Sequence, residues 1–137
     1  MLIKDFNSFK SENPNEVVFS LKQLENKGAE ISLSTRKDYS NVTNFTKVCY
    51  DLTTKPIKIF TIGEDKYKVY NLETKGDWYN SWFGVIIFKN DEPVYVIHLY
   101  ERKKLDLVLE RSMLSIVGQE EIVTIFFDNG EIKRSKI

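Results

Sequence analysis

Residues 122–137, IVTIFFDNGEIKRSKI, contain the clearest strand signal in this 137-residue chain. The run 122–127, rich in β-branched and aromatic residues, and the run 131–137, which begins and ends near isoleucines, flank Asp128-Asn129-Gly130. Asn and Gly adopt the positive φ angles of a tight turn at little cost. The stretch therefore predicts an antiparallel hairpin with strands at 122–127 and 131–137.

The same pattern occurs twice more upstream. Apolar runs flank turn-forming residues in IKIFTI (57–62) with KYKVYNL (66–72), and in WFGVIIF (82–88) with VYVIHLY (94–100). The turns are Gly63-Glu64-Asp65 and residues 89–93, so two further hairpins are predicted. Residues 105–117 fit both a strand and a helix, and the alternation of their leucines favours a strand at 105–110.

The N-terminal part of the chain shows helical signals instead. Asn13, Pro14 and Glu16 resemble the first turn of a capped helix, and Gly28 resembles its end. Apolar residues between them share one helical face: Val17, Val18, Leu21 and Leu24. Similar spacing predicts a short helix at residues 2–9 and another at 42–52, whereas 29–35 resembles a strand.

These signals predict one α+β domain over residues 1–137. N-terminal helices would precede a meandering antiparallel sheet of about six strands and cover one of its faces. The alternative is a strongly curved sheet that wraps round a helix and encloses a pocket.

Composition narrows the classes of function. The chain has 20 basic and 20 acidic side chains, a balance that disfavours nucleic-acid binding because phosphate recognition usually needs a basic excess. Cys49 is the single cysteine, so no internal disulfide forms. The N-terminus lacks the pattern of a signal peptide, and no apolar run is long enough to span a bilayer. We therefore expect a cytoplasmic protein that does not enter membranes.

No catalytic, metal-binding or cofactor-binding motif is visible, so the sequence predicts a protein without enzymatic activity. His98 lies on one strand face with valines and has no nucleophile or orienting carboxylate nearby in sequence. Cys49 lies on an apolar stripe and resembles a buried, inert thiol. Lys133, Arg134 and Lys136 could form a basic stripe with residues 102–104, although charged residues of this kind also protect sheet edges from aggregation.

The cluster Trp78-Tyr79-Asn80-Ser81-Trp82-Phe83 is the densest aromatic feature. Trp and Tyr dominate binding hot spots, so the cluster suggests a recognition patch. The competing interpretation is a core plug that closes one end of the sheet, and the sequence leaves the choice open.

A charge-neutral, aromatic-rich chain without motifs suggests a protein-binding module. In size and composition it resembles small bacterial immunity proteins, which block a cognate toxin, although no motif carries that resemblance. A basic toxin domain would be the partner, and a homodimer is open. The predicted partner-binding residues are Trp78, Tyr79, Trp82, Asp91 and Glu92. The alternative function is small-ligand binding in a pocket lined by Phe60, Tyr70, Tyr95 and His98.

Overall fold

The computed structural model describes residues 16–32, 47–51, 56–75, 81–99 and 105–137. Within these residues the chain forms strands joined by turns, with one short helix. The elements are β1 Glu16–Ser20, α1 Leu21–Asn26, β2 Glu30–Ser32, β3 Lys47–Asp51, β4 Lys58–Ile62, β5 Asp65–Lys75, β6 Ser81–Lys89, β7 Glu92–His98, β8 Asp106–Glu110, β9 Met113–Val117, β10 Glu121–Phe126 and β11 Glu131–Lys136.

Seven strands form the larger sheet, sheet 1, in the order β1-β3-β5-β6-β7-β2 with β4 beside β5. The long strand β5 pairs with β4 through its first half and with β3 through its last residues. Its other edge pairs with β6 along most of its length. Only β2 and β7 run parallel among the pairs described.

The last four strands form sheet 2, an antiparallel meander in the order β11-β10-β9-β8. Its inward side chains pack on those of sheet 1 and form one core. Fully buried members from sheet 1 include Val69, Val85, Ile87 and Ile97, and those from sheet 2 are Leu114, Ile116, Val123 and Ile125. The described part of the molecule is therefore two packed β-sheets.

The predicted α+β class is wrong, because the segment read as the main helix is mostly not helical. Residues Glu16–Ser20 are strand β1, and only Leu21–Asn26 are helical. Val17, Val18 and Phe19 have high strand propensity. Strand β1 finds its partner in β3, where Val18 lies opposite Cys49. That pairing joins residues about thirty positions apart, which local helical spacing cannot reveal.

The predicted helix at 42–52 is wrong over Lys47–Asp51 for the same reason, and residues 42–46 and 52 lie outside the described residues. Residues Lys47–Asp51 form β3, which pairs with β1 on one side and β5 on the other. The predicted helix at residues 2–9 lies outside the described residues. Sheet 1 is covered on its core side by sheet 2 rather than by helices.

The three predicted hairpins are confirmed as β4–β5, β6–β7 and β10–β11. Their turns contain residues with positive φ, namely Gly63, Gly130 and the pair Asn90-Asp91. The strand predicted at 105–110 is confirmed as β8. Residues 105–117, which fitted a helix as well as a strand, form β8 and a second strand, β9. The strand predicted at 29–35 is observed at Glu30–Ser32, and residues 33–35 lie outside the described residues.

Gly84 allows a close approach between strands β6 and β7 of sheet 1. It lies opposite His98, and a Cβ atom added there would come within 2.2 Å of the Ile97 carbonyl oxygen. No side chain fits at that distance, so β6 and β7 require glycine at this position.

Within the described ranges, no helix combines the length and the apolar character that a membrane crossing demands.

Candidate functional site

The side of sheet 2 that faces away from sheet 1, here called the outer face, consists of every second residue of its four strands. Inner positions such as Leu114 and Ile125 are fully buried in the core, so their neighbours point outward. Strand register arranges these neighbours in three rows: Glu131, Phe126, Met113 and Glu110; Lys133, Thr124, Ser115 and Val108; and Ser135, Ile122, Val117 and Asp106.

Five of these twelve positions are apolar. Val108 is 46% exposed, and the other four, Met113, Val117, Ile122 and Phe126, are partly exposed. Antiparallel sheets with one solvated face normally alternate apolar inward and polar outward residues. A cluster of outward apolar residues on one sheet face is typical of an interaction surface.

Polar groups divide and surround this apolar surface. At its centre the hydroxyl oxygens of Ser115 and Thr124 are hydrogen-bonded at 3.1 Å. The Lys133 ammonium lies 5.4 Å from the centre of the Phe126 ring and 3.9 Å from a Glu131 carboxylate oxygen. Asp106 and Glu110 occupy the β8 end of their rows and are exposed. With three carboxylates and one ammonium, the margin of the outer face is acidic.

Hydrogen bonds between two turns brace the outer face at one end. The Ser112 hydroxyl donates to the Asp128 carboxylate at 2.6 Å, and the Phe127 amide donates to the Ser112 carbonyl at 3.0 Å. The β8–β9 and β10–β11 turns are thereby joined. A surface held in one geometry loses little conformational entropy when it binds.

An aromatic cluster fixes the same turns to sheet 1. The Phe127 ring lies 4.7 Å from that of Tyr67, 5.5 Å from Phe60 and 5.8 Å from Tyr95, measured between ring centres. Burial raises the pKa of both tyrosines, and nearby Asp65 (for Tyr67) and Glu30 (for Tyr95) raise it further. The rings therefore stay neutral and serve as packing surfaces.

Of the four residues predicted to line a pocket, Phe60 and Tyr95 meet through Phe127 in this cluster. Tyr70 instead packs edge-on against Phe88, with ring centres 5.7 Å apart. Its cross-strand neighbour Ile86 alternates with the core residues Val85 and Ile87, so Tyr70 lies on the other face of sheet 1. His98 shares that face and is fully buried. The structure thus places the four residues on two faces of sheet 1.

Burial lowers the pKa of His98 to about 3, and the positive charge of Arg134 contributes to the shift. The imidazole is therefore neutral at physiological pH.

Arg134 ties the two sheets together at the end opposite the aromatic cluster. Its guanidinium donates to the Ser32 hydroxyl and carbonyl at 3.0 and 2.8 Å, to the His98 carbonyl at 2.6 Å and to the Glu121 carboxylate at 2.8 Å. Burial lowers the pKa of Arg134, whereas Glu121 counteracts that shift. Arg134 faces the interior and takes no part in an exposed basic stripe, and residues 102–104 lie outside the described residues.

The predicted partner-binding residues do not share one described location. Trp78 and Tyr79 lie outside the described residues, and Trp82 is in β6 opposite Thr74. Asp91 and Glu92 are exposed at the β6–β7 hairpin of sheet 1. There Asn90 accepts a hydrogen bond from the Lys66 amide at 3.0 Å and donates one to Asp65 at 2.9 Å, which joins two turns of sheet 1.

The predicted sites omitted the apolar residues of the outer face. A signal was present in the sequence, because Val108, Met113 and Val117 are apolar at outward positions between apolar inward residues. Within the described parts of the chain, no group of three or more His, Cys, Asp or Glu side chains is placed to hold a metal ion.

Comparison with protein-family models, with curated proteins and with solved structures gave no match.

Proposed function

We propose that this protein is a protein-binding module and that the outer face of sheet 2 is its docking surface. The observation that carries the proposal is the presence of five partly exposed apolar side chains on the sheet face that points away from the core. The fold gains less from these residues than from the fully buried ones, since part of their apolar area remains in water.

The composition of the outer face supports the proposal. Protein interfaces commonly have an apolar centre with aromatic and methionine side chains, and a polar, hydrated rim. Here Phe126 and Met113 lie side by side, Ile122 and Val117 form a second pair, and charged residues stand at the margins. The central Ser115–Thr124 pair offers hydroxyl groups for hydrogen bonds to the partner.

The narrower hypothesis of an immunity-type inhibitor stays a prediction from the sequence, as does the alternative of a ligand pocket. The described interior favours docking over the pocket, because Phe60 and Tyr95, two of the residues predicted to line the pocket, both pack on the Phe127 ring.

Native mass spectrometry after gentle purification from the native source tests the proposal. The comparison uses the wild type, a face variant with Val117→Thr and Ile122→Thr, and a control variant with Asp91→Asn and Glu92→Gln at the other sheet's hairpin. Threonine keeps the β-branched shape, so the face variant removes apolar area with little change in strand propensity.

We expect a second protein in stoichiometric amount with the wild type and with the control variant, and loss of it with the face variant. Equal retention by the face variant would refute the outer face as the docking surface. Loss confined to the control variant would instead favour Asp91 and Glu92, the contact residues predicted from the sequence.

A further inference from the structure

We infer that the partner of the outer face adds a strand to the edge of sheet 2 at β8, and that this strand has basic residues two positions before and after a central apolar residue. The inference rests on the proposed function and specifies the binding mode and the chemistry of the partner.

Strand β8 lies at one edge of sheet 2. Among the described strands it pairs with β9 alone and forms the edge of sheet 2. In an antiparallel ladder, alternate residues direct their N–H and C=O groups away from the neighbouring strand. An extended segment can satisfy those groups by pairing along the edge, which is a common mode of peptide recognition.

The outward side chains of β8 alternate in a pattern of acid, valine and acid. Asp106, Val108 and Glu110 all point to the outer face and are exposed. The cross-strand neighbours of the two acids are Val117 and Met113, and neither acid forms an ion pair with a residue in the described ranges. Opposite charges directly across an antiparallel pair are stabilising, so an added strand is favoured when it places Lys or Arg opposite each acid.

The same pattern argues against self-pairing. Two copies of β8 in antiparallel register about Val108 would place Asp106 of one copy opposite Glu110 of the other. Like charges directly opposite destabilise the pair. At the other edge of sheet 2, the outer-face residues of β11 include Glu131 and Lys133, so that edge offers a basic strand one carboxylate beside an ammonium instead of two carboxylates. The β8 edge therefore suits a basic strand better than the β11 edge does, and a strand of a different protein fits it better than a second copy of β8.

A titration of the ¹⁵N-labelled protein, followed by amide chemical shifts, tests the inference with the heptapeptide TKTVTKT as probe. The matched control peptide is TETVTET, which has the same strand propensity and the opposite charge. A variant with Asp106→Asn and Glu110→Gln keeps the shape of β8 and removes both charges.

We expect TKTVTKT to shift the amide signals of β8 and to bind about tenfold more tightly than TETVTET, with the preference lost in the neutralised variant. Equal affinities for the two peptides, or shifts confined to residues outside β8 and β9, would overturn the inference.

The two proposals fail in distinguishable ways. If the partner found by mass spectrometry is lost from the Val117→Thr and Ile122→Thr variant but retained undiminished by the neutralised β8 variant, the outer face is the docking surface and the strand-addition inference is wrong. Retention by both variants would overturn both proposals. Loss from both, with TKTVTKT bound at β8, is the result that we expect.

Discussion

The inner and outer faces of sheet 2 are built from alternating residues of the same four strands, yet the apolar residues of the two faces differ in burial. On the inner face Leu114, Ile116, Val123 and Ile125 are fully buried. On the outer face Met113, Val117, Ile122 and Phe126 are equally apolar but partly exposed. The apolar character of the first set is explained by folding, because burial removes these side chains from water and stabilises the core. The second set contributes less to folding, because part of its apolar area stays in water, and the proposed partner would cover that part.

Two adjacent charged residues of β11, Arg134 and Lys133, show the same difference between the inner and the outer face. Arg134 points inward, is hydrogen-bonded to both sheets and has a side chain only 15% exposed. Lys133 points outward, with a side chain 64% exposed. Substitutions in matched pairs, one on each face, can therefore separate what stabilises the fold from what serves binding.

The largest effect is expected at Arg134. Arg134→Met leaves Glu121 in a largely buried position without its partner and removes the hydrogen bonds to Ser32 and to the His98 carbonyl. The free energy of unfolding should fall by about 4 kcal/mol, measured by urea denaturation. Lys133→Met is the matched outer-face change and should alter it by about 0.5 kcal/mol or less. A similar loss of unfolding free energy in the two variants would show that the inner and outer residues of β11 contribute equally to stability.

Truncation of an isoleucine on each face should give the next largest difference. Ile125→Ala opens a cavity in the core and should cost about 3 kcal/mol. Ile122→Ala should cost about 1 kcal/mol or less, because that side chain is partly exposed in the free protein. Thermal and urea unfolding of both variants provide the measurement. A cost for Ile122→Ala close to that of Ile125→Ala would mean that the outer face is already covered.

The free energy of unfolding should fall at acidic pH because of His98. Its pKa is about 3 in the folded protein and about 6.5 when unfolded, so the unfolded chain binds the proton first as pH falls. Stability is complete above about pH 6.5 and is lost towards pH 3, with a contribution of about 2 kcal/mol lost between pH 7 and pH 5.

His98→Gln should flatten this part of the pH profile, whereas Val117→Thr with Ile122→Thr should leave the slope as in the wild type. An unchanged slope in the His98→Gln variant would contradict the assignment of this pH dependence to His98.

The smallest effect is expected at Val108, the most exposed apolar residue of the outer face. Val108→Thr should change the free energy of unfolding by about 0.5 kcal/mol or less, because threonine retains the strand propensity of valine and little buried area is lost. A loss above about 2 kcal/mol in urea denaturation would show that Val108 belongs to the core.

The hairpins were predictable because their signals are local. Gly63 and Gly130 supply positive φ angles in their turns, and strand-forming residues on both sides complete each pattern. The pairing of β1 with β3 was not predictable, since each strand is stabilised by a segment far away in the chain. Without that partner, the spacing from Val17 to Leu24 fits a helix just as well.

The candidate site escaped prediction for a related reason. A strand with one buried face alternates between apolar and polar residues, and that period identifies it. In 105–117 the outward residues Val108, Met113 and Val117 are apolar as well, which blurs the alternation and creates a match to helical spacing. Departures from local consistency often mark functional positions, and here the ambiguity coincides with the proposed docking surface.

The most direct test of the docking surface measures stability and partner retention together in Ile122→Thr and Ile125→Thr. These two residues are three positions apart on β10 and point to opposite faces. We predict that Ile122→Thr lowers the free energy of unfolding by about 1 kcal/mol or less and loses the partner. Ile125→Thr should lower the midpoint and, while folded, keep the partner. An Ile122→Thr protein that holds its partner as tightly as the wild type would contradict the account.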